Sequence, residues 1–247
     1  MKNGLYLFLL SSCLISAAQD REPIVTDRPN QTEASVLVPQ GRFQVETGFL
    51  SEKNGVFTNQ ALNTTLLRYG LNKYFELRFR QDYLGEKGGG NSESGLSSMK
   101  LGMKAFLSDE DGWIPQACFI GHITLPTGEI PFRQNYISSD FRFSVSHTLS
   151  NKMSLGYNLG LQNDAVSPGY QGLYSMCFSI MLADKFNSFI EPYGYFMKGQ
   201  LADNRFDFGI TFQPTPYMQF DLSSGFGLSD ISPDSFISIG FSAALIK

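Results

Sequence analysis

The chain has 247 residues, among them 22 Phe and 24 Gly but a single Trp, and carries a formal charge of -4. With no cluster of Lys and Arg it offers no electrostatic footprint for nucleic acid. Its mean hydropathy is -0.12, and beyond the N-terminal leader no apolar run reaches the ~18 residues of a spanning helix, so any contact with a bilayer has to be made by strands.

The leader reads MKNGLYLFLLSSCLISAAQD: Lys2, an apolar stretch from Leu5 to Ile15, then Ser16-Ala17-Ala18. This order is that of a secretory signal over residues 1–18, cleaved after Ala18. Leu10-Ser11-Ser12-Cys13 also fits a lipoprotein box, but the apolar core before it is short, and Leu14-Ile15 follow where a polar segment is usual. Cleavage removes Lys2 and Cys13, which takes the charge from -4 to -5 and leaves Cys118 and Cys177. Both lie in strand-like runs, so they are expected as separate small side chains facing the interior and not as a disulfide framework. Residues 19–40 lack alternation and contain Pro23, Pro29 and Pro39. They are expected to form an arm in or against the periplasmic mouth, with Asp27, Arg28 and Glu33 pairing with luminal charges.

From residue 41 to 247 the pattern changes to period two, in twelve runs: 42–51, 62–71, 74–84, 98–107, 115–125, 140–149, 153–163, 172–182, 186–197, 204–213, 217–227 and 235–245. Alternation over about ten residues is a strand signature, at the length a tilted strand needs to cross a bilayer. In YFELRFRQDYL, Phe75, Leu77, Phe79 and Tyr83 share one parity, and Glu76, Arg78, Arg80 and Asp82 the other. The connections alternate too. LNKY, SDEDGW, SNK, ADKF and PTPY are tight turns, whereas SEKNGVFTNQ, GEKGGGNSESGLS, PTGEIPFRQNYISS and NDAVSPGYQ are longer links. Short turns on one side and long links on the other are the connectivity of an all-β, antiparallel transmembrane barrel of about 12 strands, with the short set periplasmic. In lipid the apolar face points outward and the charges point into the lumen, the reverse of a soluble barrel.

The luminal parity carries seven cations, Arg68, Arg78, Arg80, Lys100, Lys104, Arg142 and Arg205, against six anions, Glu46, Glu76, Asp82, Glu191, Asp207 and Asp221. These, with His122, are the candidate lining of a pore or, read structurally, a cross-strand network of ion pairs that fills the interior. Arg78, Arg80, Lys100 and Lys104 on neighbouring strands would form a positive stripe. SHTLSN places His147 and Ser150 with two residues between them, where outer-membrane lipases have one, and nothing else supports a nucleophile, so no catalytic residue is assigned. No metal and no cofactor is expected: His122 and Cys118 share a parity, but His147, the only other His, is on the opposite one, and the DEDG turn lacks the spacing of a calcium loop.

Four stretches, TDRPNQTEASVLVPQGRFQVETGF, NTTLLRYGLNKYFELRF, HITLPTG and DISPDSFISIGFS, resemble the family of meta-pathway phenol degradation proteins, often called simply transporters. The resemblance covers nearly all of the chain after the leader. It implies an outer-membrane barrel, associated with transport of hydrophobic or aromatic compounds, and no catalytic residues. The expected function is passage of small solutes through a charged lumen. Its alternatives are a largely plugged structural or adhesive barrel and, last, an outer-membrane lipolytic enzyme. The expected partners are outer-membrane lipids, the barrel assembly machinery and a small solute.

Overall fold

The computed structural model describes residues 22–163 and 169–245. The expected signal segment, with Cys13, lies outside them. Fourteen strand segments follow one another: β1 (Phe43–Asn54), β2 (Phe57–Gly70), β3 (Phe75–Arg80), β4 (Tyr83–Gly88), β5 (Asn91–Leu96), β6 (Lys100–Ser108), β7 (Gln116–Thr124), β8 (Ser138–Ser150), β9 (Met153–Gln162), β10 (Gln171–Ala183), β11 (Phe186–Phe196), β12 (Asp203–Thr215), β13 (Met218–Gly227) and β14 (Ser235–Leu245). All pair antiparallel in one sheet, and β1 pairs with both β2 and β14, which closes it.

Fourteen segments make twelve staves, because β3 and β4 are one stave and β5 and β6 another. β2 pairs with β3 through its second half and with β4 through its first. The interruption has a local cause. At Gln81-Asp82 the Asp82 carboxylate accepts from the Thr65 amide at 3.1 Å, and the Ser97 hydroxyl accepts from the Asp82 amide at 3.0 Å, so side chains replace ladder bonds. The fold is thus the all-β, twelve-stave antiparallel barrel expected from the periodicity.

Two of the links expected as loops, 51–60 and 85–97, are instead strand extensions that stand above the rim as hairpins. Asn54 pairs with Phe57 around Gly55, and Gly88 pairs with Asn91 around Gly89 and Gly90. These three glycines have φ of 59°, 57° and 84°, the left-handed backbone that two-residue hairpin turns require. Above the membrane both faces of a hairpin meet water, so the ladder continues without the apolar alternation that marks a strand in sequence. The link 125–137 between β7 and β8 remains a loop.

Side chains of alternate parity divide as a barrel in lipid demands. Leu77, Leu101, Phe143 and Leu159 lie on the outside with large exposed areas, while Arg68, Glu76, Lys104, Glu191 and Asp207 on the opposite parity are fully buried. The short turns 71–74, 109–115, 151–152, 184–185 and 216–217 gather at one end. There the Glu110 carboxylate takes both the amide and the hydroxyl of Thr148, each at 2.7 Å, and ties the β6–β7 turn to β8.

Two outcomes are expected from this architecture. Leu77→Arg places a cation against hydrocarbon and should cost about 2–4 kcal/mol if the site is near the midplane, seen as loss of the heat-modifiable folded band on gels. A cysteine at Asn91 should be labelled by an impermeant maleimide on intact cells, whereas one at Asp109 should react only after the outer membrane is opened.

Candidate functional site

The lumen is occupied by the chain's own N-terminal arm. The Ile24 amide donates to the Pro216 carbonyl at 2.7 Å in the β12–β13 turn, and the Arg42 guanidinium donates to the Glu22 carbonyl at 2.7 Å. Further on, Gln40 bridges to Gly70. The arm therefore enters and leaves at the short-turn end, with its middle inside the barrel. Proline at 23, 29 and 39 keeps it from pairing as a regular strand, and its amides are taken by inward side chains instead.

Three wall carboxylates hold that backbone. Glu46 accepts from the amides of Asp27 and Arg28 at 3.0 and 3.1 Å, Glu191 from those of Gln31 and Thr32 at 2.7 and 2.6 Å, and Glu76 from that of Val38 at 2.8 Å. Asn158 accepts from the Glu33 amide at 2.8 Å.

Toward β2, β3 and β6 the arm is held by charge. Asp27 meets Arg78 at 2.7 Å, Lys104 at 3.2 Å and Arg68 at 3.4 Å. Arg68 also pairs with Glu46 and Glu76 at 2.9 and 2.7 Å. Glu33 pairs with Arg78 at 2.7 Å and Arg142 at 3.4 Å. Burial alone would raise the Asp27 carboxyl, but the Arg68, Lys104 and Arg78 cations outweigh it and hold it well below the usual carboxylate range. Burial likewise opposes, and Arg78 and Arg142 overcome, the shift of Glu33, which is lowered.

The opposite side has one arm ion pair among the described residues. Arg28 reaches Asp221 at 3.0 Å and also donates to Ser238 and Thr64, at 3.0 and 3.3 Å. Its guanidinium lies over Gly48 and Gly240, paired across β1 and β14, where any Cβ would collide with it. The rest is neutral: Asn30 donates to Cys177 Sγ at 2.8 Å, Thr32 to Ser175 at 2.7 Å, and Gln219 to Thr26 Oγ1 at 2.7 Å.

The remaining sequence candidates fall into smaller groups. Arg80 pairs with Asp82 at 2.9 Å beside the β3–β4 break. Lys100 pairs with Asp140 at 2.7 Å; His122 Nδ1 lies 2.8 Å from the same carboxyl group, and its Nε2 accepts from Arg78 at 3.1 Å. Arg205 pairs with Asp203 at 2.6 Å and Glu52 at 3.0 Å. Glu191 and Asp207 are opposite each other across β11 and β12, with no cation paired to either among the described residues. Cys118 and Cys177 are free, buried thiols on separate strands. Asp140 was not singled out in the sequence, although it shares Arg142's parity two residues away. Gln44, Asn158, Ser175 and Gln219 were passed over because uncharged polar residues on the inner parity give no electrostatic signal.

Two cavities flank the arm. The outer one, about 500 Å³, has arm residues Arg28–Gln31 and Glu33 at its floor, and Arg80, Lys100 and Arg142 with Tyr174, Tyr195 and Phe132 around it. The second, about 350 Å³, lies toward the turn end between Pro23–Thr26 and the polar groups Ser188, Thr211, Gln213 and Gln219.

A closed sheet with an apolar exterior and a charged, filled interior defines an outer-membrane β-barrel. The chain belongs to the family described as "Putative MetA-pathway of phenol degradation", whose model matches residues 26–245. Among solved structures it is similar to an outer membrane channel from Pseudomonas putida F1, with TM-score 0.67 and 13% identity over 88% of this chain and 99% of that one. It is also similar to the NanC porin, at 0.56 and 10% over 82% and 100%, and to the KdgM porin, solved with oligogalacturonate, at 0.55 and 6% over 82% and 99%. At these identities the likeness is one of fold. A comparison with curated protein sequences finds no match.

Removing the arm's central anion should release it. Asp27→Ala leaves three buried cations short of a counter-charge, at about 3–5 kcal/mol, so the arm should become cleavable by added protease while the barrel still migrates as folded. Because the Asp27 carboxyl is lowered, its contribution is complete above about pH 4 and fades only as the pH falls through that lowered value. The Asp27 ion pairs should therefore add as much protease resistance at pH 5 as at pH 7, read as the difference between wild type and Asp27→Ala at each pH.

Proposed function

We propose that the barrel is a non-catalytic outer-membrane channel that admits small solutes, hydrophobic or aromatic compounds among them, by passive permeation through the lumen. The observation that carries this reading is the outer cavity, in which Tyr174, Tyr193, Tyr195, Phe132 and Leu173 supply apolar surface next to polar groups that fix orientation. The fold it shares with outer-membrane channels and porins supports it.

The charges at the cavity mouth point to neutral amphipathic solutes. Arg80, Lys100 and Arg142 are each paired, with Asp82, with Asp140 and with Glu33, so the positive stripe expected from sequence is answered on the spot by acids. We take the path to be bordered by Arg80, Asp82, Lys100, His122 and Arg142. Glu46, Arg68, Glu76, Arg78 and Lys104 anchor the arm; Asp221 does so through Arg28 and Glu191 through backbone amides. Arg205 closes the rim. Insertion by the barrel assembly machinery belongs to the same reading.

The ion pairs that hold the arm favour a second reading, a largely plugged structural barrel. Liposome swelling separates the two. Full-length protein should pass small neutral aromatic solutes faster than empty liposomes do, and a form lacking Pro23–Val38 should pass them and larger polar solutes faster still. Absence of flux from both forms, with both folded by gel migration, would exclude the channel.

A further inference from the structure

The two cavities share only part of the arm. Arg28 and Asn30 line both, and between the points where these side chains reach the wall, Asp221 on β13 and Cys177 on β10, lie β11 and β12. One cross-strand row spans this interval at a single level. Cys177 sits between the paired positions Ser175 with Tyr193 and Phe178 with Ile190, beside Glu191; Glu191 faces Asp207, Asp207 faces Gly225, and Gly225 faces Phe236.

Groups in this row and in the neighbouring row of Ser179, Phe189, Gly209, Ser223 and Ser238 are left over from arm docking. Asp207 is fully buried, and among the described residues its carboxyl is hydrogen-bonded only to the facing Glu191 carboxyl, with which it shares a proton; Ser223 on β13 is buried and unpartnered. Phe236 folds over Gly225 and lines the outer cavity, while Phe189 folds over Gly209 and lines the inner one. Each glycine leaves the space that its aromatic ring fills. A buried carboxyl pair whose remaining acceptor sites meet no donor is costly unless something else reaches it.

We propose that solute crosses the arm on this side, through a throat whose polar centre is Asp207 with Ser223, closed by Phe236 toward the outer cavity and Phe189 toward the inner one, with Arg28 and Asn30 as its inner wall. The inference rests on the channel reading above and specifies its path and selectivity. The Glu191–Asp207 carboxyl pair, which has no paired cation among the described residues, keeps one negative charge when it shares a proton, so it disfavours anions and accepts hydrogen-bond donors. The throat therefore takes small solutes that bear hydroxyl or ammonium groups and no negative charge. Below it the inner cavity continues that chemistry with Ser179, Ser188, Thr211, Gln213 and Gln219, none of them charged. Among the described residues the other side of the arm has no comparable route, since Asp27 and Glu33 are locked there to Arg68, Arg78, Lys104 and Arg142.

Planar-bilayer recordings of the full-length protein under a KCl gradient test this. Wild type should favour K⁺ over Cl⁻, Asp207→Lys, which neutralises the charge kept on Glu191, should bring the permeability ratio toward one, and Phe189→Ala with Phe236→Ala should raise conductance several-fold. Asp207→Arg gives the same readout should the Lys variant not fold. Anion preference in wild type, a ratio unmoved by both Asp207 variants, or a conductance unmoved by the paired Ala variant, each with the barrel folded by gel migration, would overturn the throat. If the form lacking Pro23–Val38 conducts while those variants match wild type, the throat fails and the channel stands. If neither wild type nor the shortened form conducts, both fail together.

Discussion

Hydrocarbon cannot hydrogen-bond, and from that single constraint the rest of this structure follows. A sheet with a free edge would leave a row of amides and carbonyls unsatisfied, so β1 must find β14, and it does so over eleven paired positions from Phe43 with Leu245 to Lys53 with Ser235. Closure then sorts the side chains. Leu and Phe on the outer parity are solvated by lipid, and the charged parity is forced together in a space too narrow for bulk water. The same alternation that stabilises the wall thus creates the problem of the interior.

The arm answers that problem. Arg68, Arg78 and Lys104 on three adjacent staves would repel one another if left alone in a buried lumen, and the wall carboxylates Glu46 and Glu76 do not balance them. Asp27 and Glu33 supply the missing negative charge. In the opposite direction, the free amides of the arm satisfy Glu46, Glu76 and Glu191, so wall and arm each meet groups that the other would leave buried and unpaired. Breaking a buried pair by removing one partner costs about 3–5 kcal/mol, far more than a neutral hydrogen bond at about 0.5–1.5 kcal/mol. Assembly of this interior is therefore decided by the charges around Asp27.

Much of this could be read from sequence, and the failures have physical reasons. Parity identified the twelve staves because each transmembrane residue faces either lipid or lumen, with no intermediate choice. It missed the tip of β1, the first part of β2, most of β4 and all of β5, where both faces are wet and polarity carries no phase. Three prolines and three charges suggested an arm near the mouth, but the depth of its insertion depends on side chains from eight or more staves converging, which no local pattern encodes. Asp140 was legible and overlooked: the phase that found Arg142 places it on the inner face. Asn158 and Gln219 could be recognised only once the arm's amides had somewhere to go.

The distribution of those bonds makes the lumen mechanically lopsided. On the β2, β3 and β6 side the arm is held by ion pairs that share atoms: Arg78 touches Asp27, Glu33 and Glu76, and Arg68 touches Asp27, Glu46 and Glu76, so loosening one contact strains the others. On the β10 to β13 side, beside Arg28 with Asp221 and the amides on Glu191, the contacts include neutral hydrogen bonds from Asn30, Thr32, Gln213 and Gln219. A force on the arm, from a solute in the outer cavity or from thermal motion, must break the cheaper set first. In the proposed channel the charged side is the hinge and the neutral side the edge that lifts, which is also the side where Arg28 and Asn30 border both cavities. The charges that fill this barrel fix one side of its plug and leave the other side as the place where it can yield.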